Sequence, residues 1–201
     1  MMHPPHAHAR IALRLVVAGA CVWLSGCAAD RGPYSALAES ARDSGKAQEL
    51  TQRAAAIIET HPGRAEKLLR EALTSDLYHG PAHNNLGVIY LGQRKWYEAA
   101  SEFEWARKLM PGHPDPRVNL AVVLERAGRT DDALSAYASA LEVYPGHLAA
   151  TQGLARLQAR SGRTDHRTPK LLEEIAMRGE DEQWRSWARR QQLKSPRVSE
   201  P

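Results

Sequence analysis

Two hexapeptides decide how this chain folds: Asn85-Leu86-Gly87-Val88-Ile89-Tyr90 and Asn119-Leu120-Ala121-Val122-Val123-Leu124, which lie 34 residues apart. The same step carries Ala99 to Ala133, Phe103 to Tyr137, Ala106 to Ala140, and Pro111-Gly112-His113 to Pro145-Gly146-His147. Self-similarity at a period of about 20–50 residues marks stacked supersecondary units, so the repeat has to be read before any single element.

Within each unit the apolar positions recur three and four residues apart, the spacing of one face of a helix. Small alanines let paired helices approach closely, and the bulky Phe103 and Tyr137 are expected to fill the gaps between repeats. Pro111 and Pro145 have no backbone donor and stop the second helix of each unit, with the following glycine expected to supply the turn. One unit cannot bury its apolar face alone, so stability requires stacking and a cap at each end.

This pattern resembles the tetratricopeptide repeat, with a Leu-Gly pair and an aromatic on a first helix, then Ala, aromatic, Ala and Pro on and after a second. Block 80–113 carries it in Leu86, Gly87, Tyr90, Ala99, Phe103, Ala106 and Pro111, with His83 where a tryptophan is often found. Block 114–147 keeps Leu120, Ala133, Tyr137, Ala140 and Pro145, and has Ala121 and Leu124 in place of Gly and Tyr. Block 46–79 is degenerate: Ala65, Leu69 and Ala72 mark a second helix, the first helix is expected over Ala47–Thr60, and Leu77 replaces the proline. Block 148–162 is partial, a first helix over Leu148–Ser161 bearing Leu154-Ala155 and followed by Gly162. The resemblance implies an all-α, right-handed solenoid of helix-turn-helix repeats over 46–167.

Residues 168–201 read as C-terminal capping helices and tail. Thr168-Pro169 opens one helix, with Leu171, Leu172, Ile175 and Ala176 on one face and an end near Gly179. Acids around Asp181 open the next, which aligns Trp184, Trp187 and Ala188 beside Arg185, Arg189 and Arg190. Packing onto the last repeat is the first reading of those tryptophans, and a partner-docking surface the second.

The chain has 201 residues, 43% hydrophobic and 25% charged, a balance that excludes disordered and collagen-like classes. Its one long apolar run lies between Ile11 and Cys27. Arg10 and Arg14 precede a core of about ten apolar residues, the pattern of a secretory leader, too short for an ordinary membrane helix. The run ends in Leu24-Ser25-Gly26-Cys27, which resembles the lipobox of bacterial lipoproteins. That resemblance implies cleavage of residues 1–26, a diacylglycerol thioether on Cys27, and a lipidated N-terminus and linker over 27–45, with a short helix considered over Ser35–Arg42. Two or three acyl chains hold a protein on a membrane almost permanently. With no aspartate beside Cys27, the resemblance favours the periplasmic face of the outer membrane. Cys21 leaves with the leader, so no disulfide is expected. Loss of Arg10 and Arg14 lowers the net charge from +4 to +2, which argues against nucleic acid as a partner.

No nucleophile motif, phosphate loop or zinc-type spacing occurs, so the chain is read as no enzyme, with no cofactor and no metal. His79, His113 and His147 recur at the repeat period. Equivalent positions sit about 10 Å apart, too far to share one ion, and are read as turn residues opening the next helix. Asp131-Asp132 and Asp181-Glu182 stand where helices begin, which the helix dipole favours without catalysis.

The first helices offer three stripes on one face: Asn85, Val88 and Gly92; Asn119, Val122 and Arg126; Gly153, Arg156 and Arg160. By the resemblance, Asn85 and Asn119 occupy places of an asparagine ladder that grips a peptide backbone, with Thr51 and Gly153 in the flanking places. Arg126, Arg156 and Arg160 would make a positive end suited to carboxylates; the other reading has the asparagines bonded to neighbouring helices and the arginines in water. The expected function is a lipid-anchored periplasmic scaffold that binds a peptide or helix of another envelope protein, in the manner of small lipoproteins of pilus or secretin assembly. A cell-wall ligand-binding protein or enzyme, and a structural spacer that self-associates through Trp184 and Trp187, remain as alternatives. Oligomeric state is left open.

Overall fold

The computed structural model describes residues 42–194, in which the chain forms α1 (Ser44–Ala55), α2 (Pro62–Ser75), α3 (Gly80–Gly92), α4 (Trp96–Leu109), α5 (Asp115–Arg126), α6 (Thr130–Val143), α7 (Leu148–Ser161), α8 (Thr168–Arg178) and α9 (Glu182–Lys194). The leader, Cys27, all but Arg42 of the short helix considered over Ser35–Arg42, and the tail beyond Lys194 lie outside the described residues. No described helix is long and apolar enough to cross a membrane.

Consecutive helices pack as hairpins, and each second helix also lies against the first helix of the next unit. The alanines set that closeness. Ala65, Ala99 and Ala133 on the second helices are fully buried, as are Ala72, Ala106 and Ala140 about two turns further on. At these places each extra methylene would push two backbones apart. Leu69, Phe103 and Tyr137 are likewise buried at equivalent points of α2, α4 and α6.

A Cβ on Gly87 would lie 2.6 Å from Phe103, so that ring fills the space inside its own hairpin. Tyr137 presses on Gly153 of α7, across the boundary to the next unit. Ala121 stands at the place equivalent to Gly87 and is fully buried.

The turns depart from expectation in one respect. Met110 and Tyr144 leave the helical region just before Pro111 and Pro145, because a proline disfavours helical backbone in the residue before it. Gly112 and Gly146 are not left-handed. Among the described residues the positive-φ positions are Arg94 (φ 60°), Gly128 (φ 76°) and Gly162 (φ 69°), all at the end of a first helix and 34 residues apart. The left-handed turn therefore sits inside the hairpin, where the chain reverses over two or three residues.

The first unit is irregular for local reasons. α1 ends at Ala55 rather than Thr60, and residues 56–60 form turns. Ile57 and Ile58 are β-branched, and Pro62 keeps His61 out of the helical region at φ −137°. With Leu77 where later units have proline, α2 is closed by Asp76 instead. The Asp76 carboxylate accepts from Arg42 Nε (3.0 Å) and Nη2 (3.2 Å), Ser44 Oγ (3.0 Å) and the Tyr78 backbone N–H (3.0 Å).

His83 replaces the usual tryptophan and is fully buried. Its Nε2 donates to the Leu77 carbonyl at 2.9 Å, and Nδ1 faces Glu102 Oε2 at 2.6 Å. The ring stacks on Trp105 with centroids 5.6 Å apart, so its faces do the work of an apolar side chain while both nitrogens are satisfied.

At the other end α8 runs antiparallel to α7: Thr168 Oγ1 donates to Gln158 Oε1 at 2.9 Å, and Arg178 Nη2 reaches the Gly146 carbonyl at 3.5 Å. α8 buries Leu171, Leu172 and Ile175, so it stands to α7 as α6 does to α5. α9 packs on α8 and buries only Ala188 completely.

Candidate functional site

The first helices α1, α3, α5 and α7 pack successively on one another, so the stack bends toward them and they line its inner face. Asn85 is half-buried there and makes no side-chain hydrogen bond to any described residue. Val88 is 38% exposed, and beside Gly92 lies open space. Asn119, one unit on, donates from Nδ2 to Asn84 Oδ1 at 3.0 Å. That bond leaves the Asn119 carbonyl oxygen available and ties α5 to α3. Val122 is half-buried and Arg126 exposed, without a carboxylate partner among the described residues.

The ladder position on α7 is glycine for a steric reason. A Cβ on Gly153 would lie 2.4 Å from Tyr137 Cε1 and 2.5 Å from Cζ, distances no side chain tolerates. Thr51 holds the corresponding place on α1; it is buried, and its Oγ1 has no hydrogen-bond partner among the described residues.

Arg156 and Arg160 converge on Glu125 of α5, which sequence reasoning missed. Arg156 Nη2 donates to both Glu125 oxygens (3.2 and 3.0 Å), and Arg160 Nη1 lies 3.0 Å from Oε1. The Glu125 side chain is only 10% exposed, whereas the arginines are about half exposed. Tyr137 Oη also donates to Glu125, at 3.4 Å. Burial, then the Glu125 charge, pushes the Tyr137 phenol up to about 12. One carboxylate between two arginines leaves this end of the inner face positive, and Arg126 adds to it. Glu125 was findable: it precedes Arg156 and Arg160 by 31 and 35 residues, close to one repeat.

Beyond α7 the inner face continues into a cleft of about 400 Å³ lined by Arg156, Gln183, Trp184, Trp187 and Arg190. Trp184 and Trp187 meet edge to face, centroids 5.5 Å apart at 84°, and are half-buried against the core. On the opposite side, between α4 and α6, a second cleft of about 340 Å³ places Arg117 beside Ser139. There Glu104 holds Arg107, and Asp132 holds Arg129.

The recurring histidines are turn residues. His79 and His147 cap α3 and α7. His147 Nδ1 accepts the Ala150 N–H at 3.2 Å, which leaves Nε2 to donate to Asp115 at 3.0 Å. Burial holds His79 below the usual histidine range. Among the described residues no group of three or more His, Cys, Asp or Glu could hold a metal ion. Asp131 and Asp132 lie in the first turn of α6, and Asp181 caps α9 by accepting the Trp184 N–H at 2.9 Å.

Residues 84–146 and 118–165 match the tetratricopeptide repeat model. No curated protein matches the sequence. Among solved structures, the first tetratricopeptide domain of Spaghetti (RPAP3), bound to the HSP90 peptide SRMEEVD, is similar at 19% identity. That likeness covers 61% of this chain and 98% of that one, with a TM-score of 0.57. MamA is similar at 17% identity over 76% of this chain and 84% of that one, TM-score 0.57. A Thermobaculum terrenum O-GlcNAc transferase is similar at 22% identity over 74% of this chain but 27% of that enzyme, TM-score 0.60. At such identities the likeness is one of fold: a stack of tetratricopeptide hairpins.

Proposed function

Proceeding from a tetratricopeptide stack with its repeat sequence in residues 84–165, we propose that this chain is an adaptor whose inner face holds an extended segment of another protein. The observation that carries the reading is Asn85, an amide on the inner face with no side-chain partner among the described residues, followed along the stack by the Asn119 carbonyl and a surplus of arginine. An amide offers both donor and acceptor, so it grips a backbone whatever its side chains. The arginine surplus favours an acidic segment. The acidic peptide SRMEEVD bound by a neighbour of the same fold fits that preference.

The cellular setting we propose rests on the sequence before residue 28. Cys27, freed by cleavage after Gly26, carries the lipid, and the stack works at the periplasmic face of the outer membrane. Its partner there is another envelope protein, in pilus or secretion-system assembly, and the adaptor performs no chemistry of its own. Incorporation of labelled palmitate that is lost in Cys27→Ser supports the anchor, and no incorporation removes it.

A displayed random-peptide library panned against the full chain tests the groove. Two amide contacts at about 1 kcal/mol each amount to roughly thirtyfold in affinity. Selected peptides should lose about that much on Asn85→Ala with Asn119→Ala. Peptides indifferent to that pair and to Val88→Asp would refute the groove.

A further inference from the structure

We infer that the cleft between α7 and α9 is the anchoring pocket of the proposed groove, taking a bulky apolar side chain flanked by carboxylates from an acidic partner segment. This rests on the reading of the inner face as a peptide groove and names the part of the ligand it selects.

The tryptophans supply the first argument. Phe103 and Tyr137, whose rings pack between helices, are 0% and 1% exposed. Trp184 and Trp187 belong to α9, which fully buries a single alanine, and their unburied surfaces form the cleft wall. An edge-to-face indole pair offers a large apolar surface with little rotamer freedom to lose. Tryptophan and arginine are the residues that most often dominate binding energy at interfaces.

Charge supplies the second. The lining holds two guanidinium groups and no carboxylate. On α9, Arg185 and Arg189 share Glu182, but Arg190 has no partner among the described residues. Arg156 already divides Glu125 with Arg160. The complement of an indole floor between two such arginines is an apolar side chain with negative charge beside it.

Size and position agree. About 400 Å³ is near the lower end of ligand pockets, suited to one large side chain rather than a whole cofactor. Arg156 belongs both to the inner face of α7 and to the cleft, so a segment laid along Asn85 and Asn119 continues into it. The chain's own last residues, Ser195-Pro196-Arg197-Val198-Ser199-Glu200-Pro201, offer no aromatic and one acid, a poor match.

The test uses the full chain in detergent and a fluorescein-labelled synthetic peptide whose central phenylalanine is flanked by aspartates and glutamates. Binding is followed by anisotropy. Exchanging the phenylalanine for serine, or the acids for lysines, should each weaken binding about tenfold or more, and Arg190→Glu should do the same. Arg190 is exposed and unpaired among the described residues, so its reversal leaves the fold intact; Trp187→Phe, with helicity checked by circular dichroism, tests the floor separately. Equal binding by wild type and Arg190→Glu, or by acidic and basic peptides, overturns the pocket. If Arg190→Glu has no effect while Asn85→Ala with Asn119→Ala weakens the peptide, the groove stands and the anchor falls; indifference to all three refutes both. Sedimentation showing that Arg190→Glu abolishes self-association, with no peptide bound, would give the cleft to a second copy and also overturn the inference.

Discussion

Gly153 and Tyr137 interlock across the boundary between the third and fourth hairpins: the phenol ring occupies the space where any side chain on residue 153 would begin, 2.4 Å from Cε1. The contact explains two things at once. It fixes how α7 sits on α6, and it ends the asparagine ladder after Asn119, because no amide can be placed on α7 at the equivalent position.

Gly153→Ala should therefore destabilise the protein by about 1–3 kcal/mol, the range for overpacking a filled core. Tyr137→Leu removes the ring and should recover most of that loss in the double variant. Denaturant midpoints of the four proteins give the coupling energy. Additive effects would show that the ring does not press on Gly153.

Arg94 tests the turn. It is the non-glycine member of a series whose other members are Gly128 and Gly162, and it holds φ 60°. A non-glycine residue in the left-handed region costs about 1–2 kcal/mol, from which the greater freedom of an unfolded glycine subtracts a part. Arg94→Gly is expected to stabilise by about 0.5–1 kcal/mol, whereas Gly128→Arg should lose a comparable amount. Chemical denaturation settles both signs.

These examples show what the sequence disclosed and why. Leu86, Gly87, Ala99, Phe103 and their partners one period later are set by packing that recurs in the two full units, so the hairpin stack could be read from a single chain. The site depends on contacts that do not recur. Asn119 reaches Asn84, one place out of register with Asn85, and Glu125 collects two arginines from the next hairpin. Each depends on where a long side chain turns after leaving the backbone, which periodicity does not encode. Gly153 was visible only as a missing asparagine; its cause lies in the Tyr137 ring sixteen residues earlier.

Asp76 closes the first unit in place of a proline, and its titration should show this. Burial would raise its pKa, but the hydrogen bonds from Arg42, the Tyr78 N–H and Ser44 outweigh burial and hold it below the ordinary value of 3.8. Since the folded state favours the carboxylate, the stabilisation is present above pH 3.8 and is lost as the pH falls through the lower, folded-state value. Asp76→Asn should unfold at a lower temperature than wild type at pH 7. Below pH 3.8 the two should converge, as followed by circular dichroism. A constant gap across that range would mean that the charge contributes nothing.

Glu125 allows the charge of the groove to be separated from its shape. Because this carboxylate is mostly buried and the arginines are exposed, the two sides of the cluster should not respond alike. Arg156→Ala with Arg160→Ala strands a largely buried carboxylate, at about 2 kcal/mol or more, whereas Glu125→Gln removes the charge and leaves an amide that the Tyr137 hydroxyl can still reach. The second variant should therefore lose less stability than the first. It also frees two guanidinium groups, so acidic peptides should bind it several-fold more tightly at low salt, an advantage that shrinks as ionic strength rises. Tyr137 reports on the same change. Its phenol stands at about 12 through burial first and the Glu125 charge second, so ultraviolet titration of Glu125→Gln should bring it down while leaving it above the ordinary tyrosine value of 10. If the phenol does not move, the charge of Glu125 does not act on Tyr137. If acidic peptides bind no better, the arginines are not what receives them.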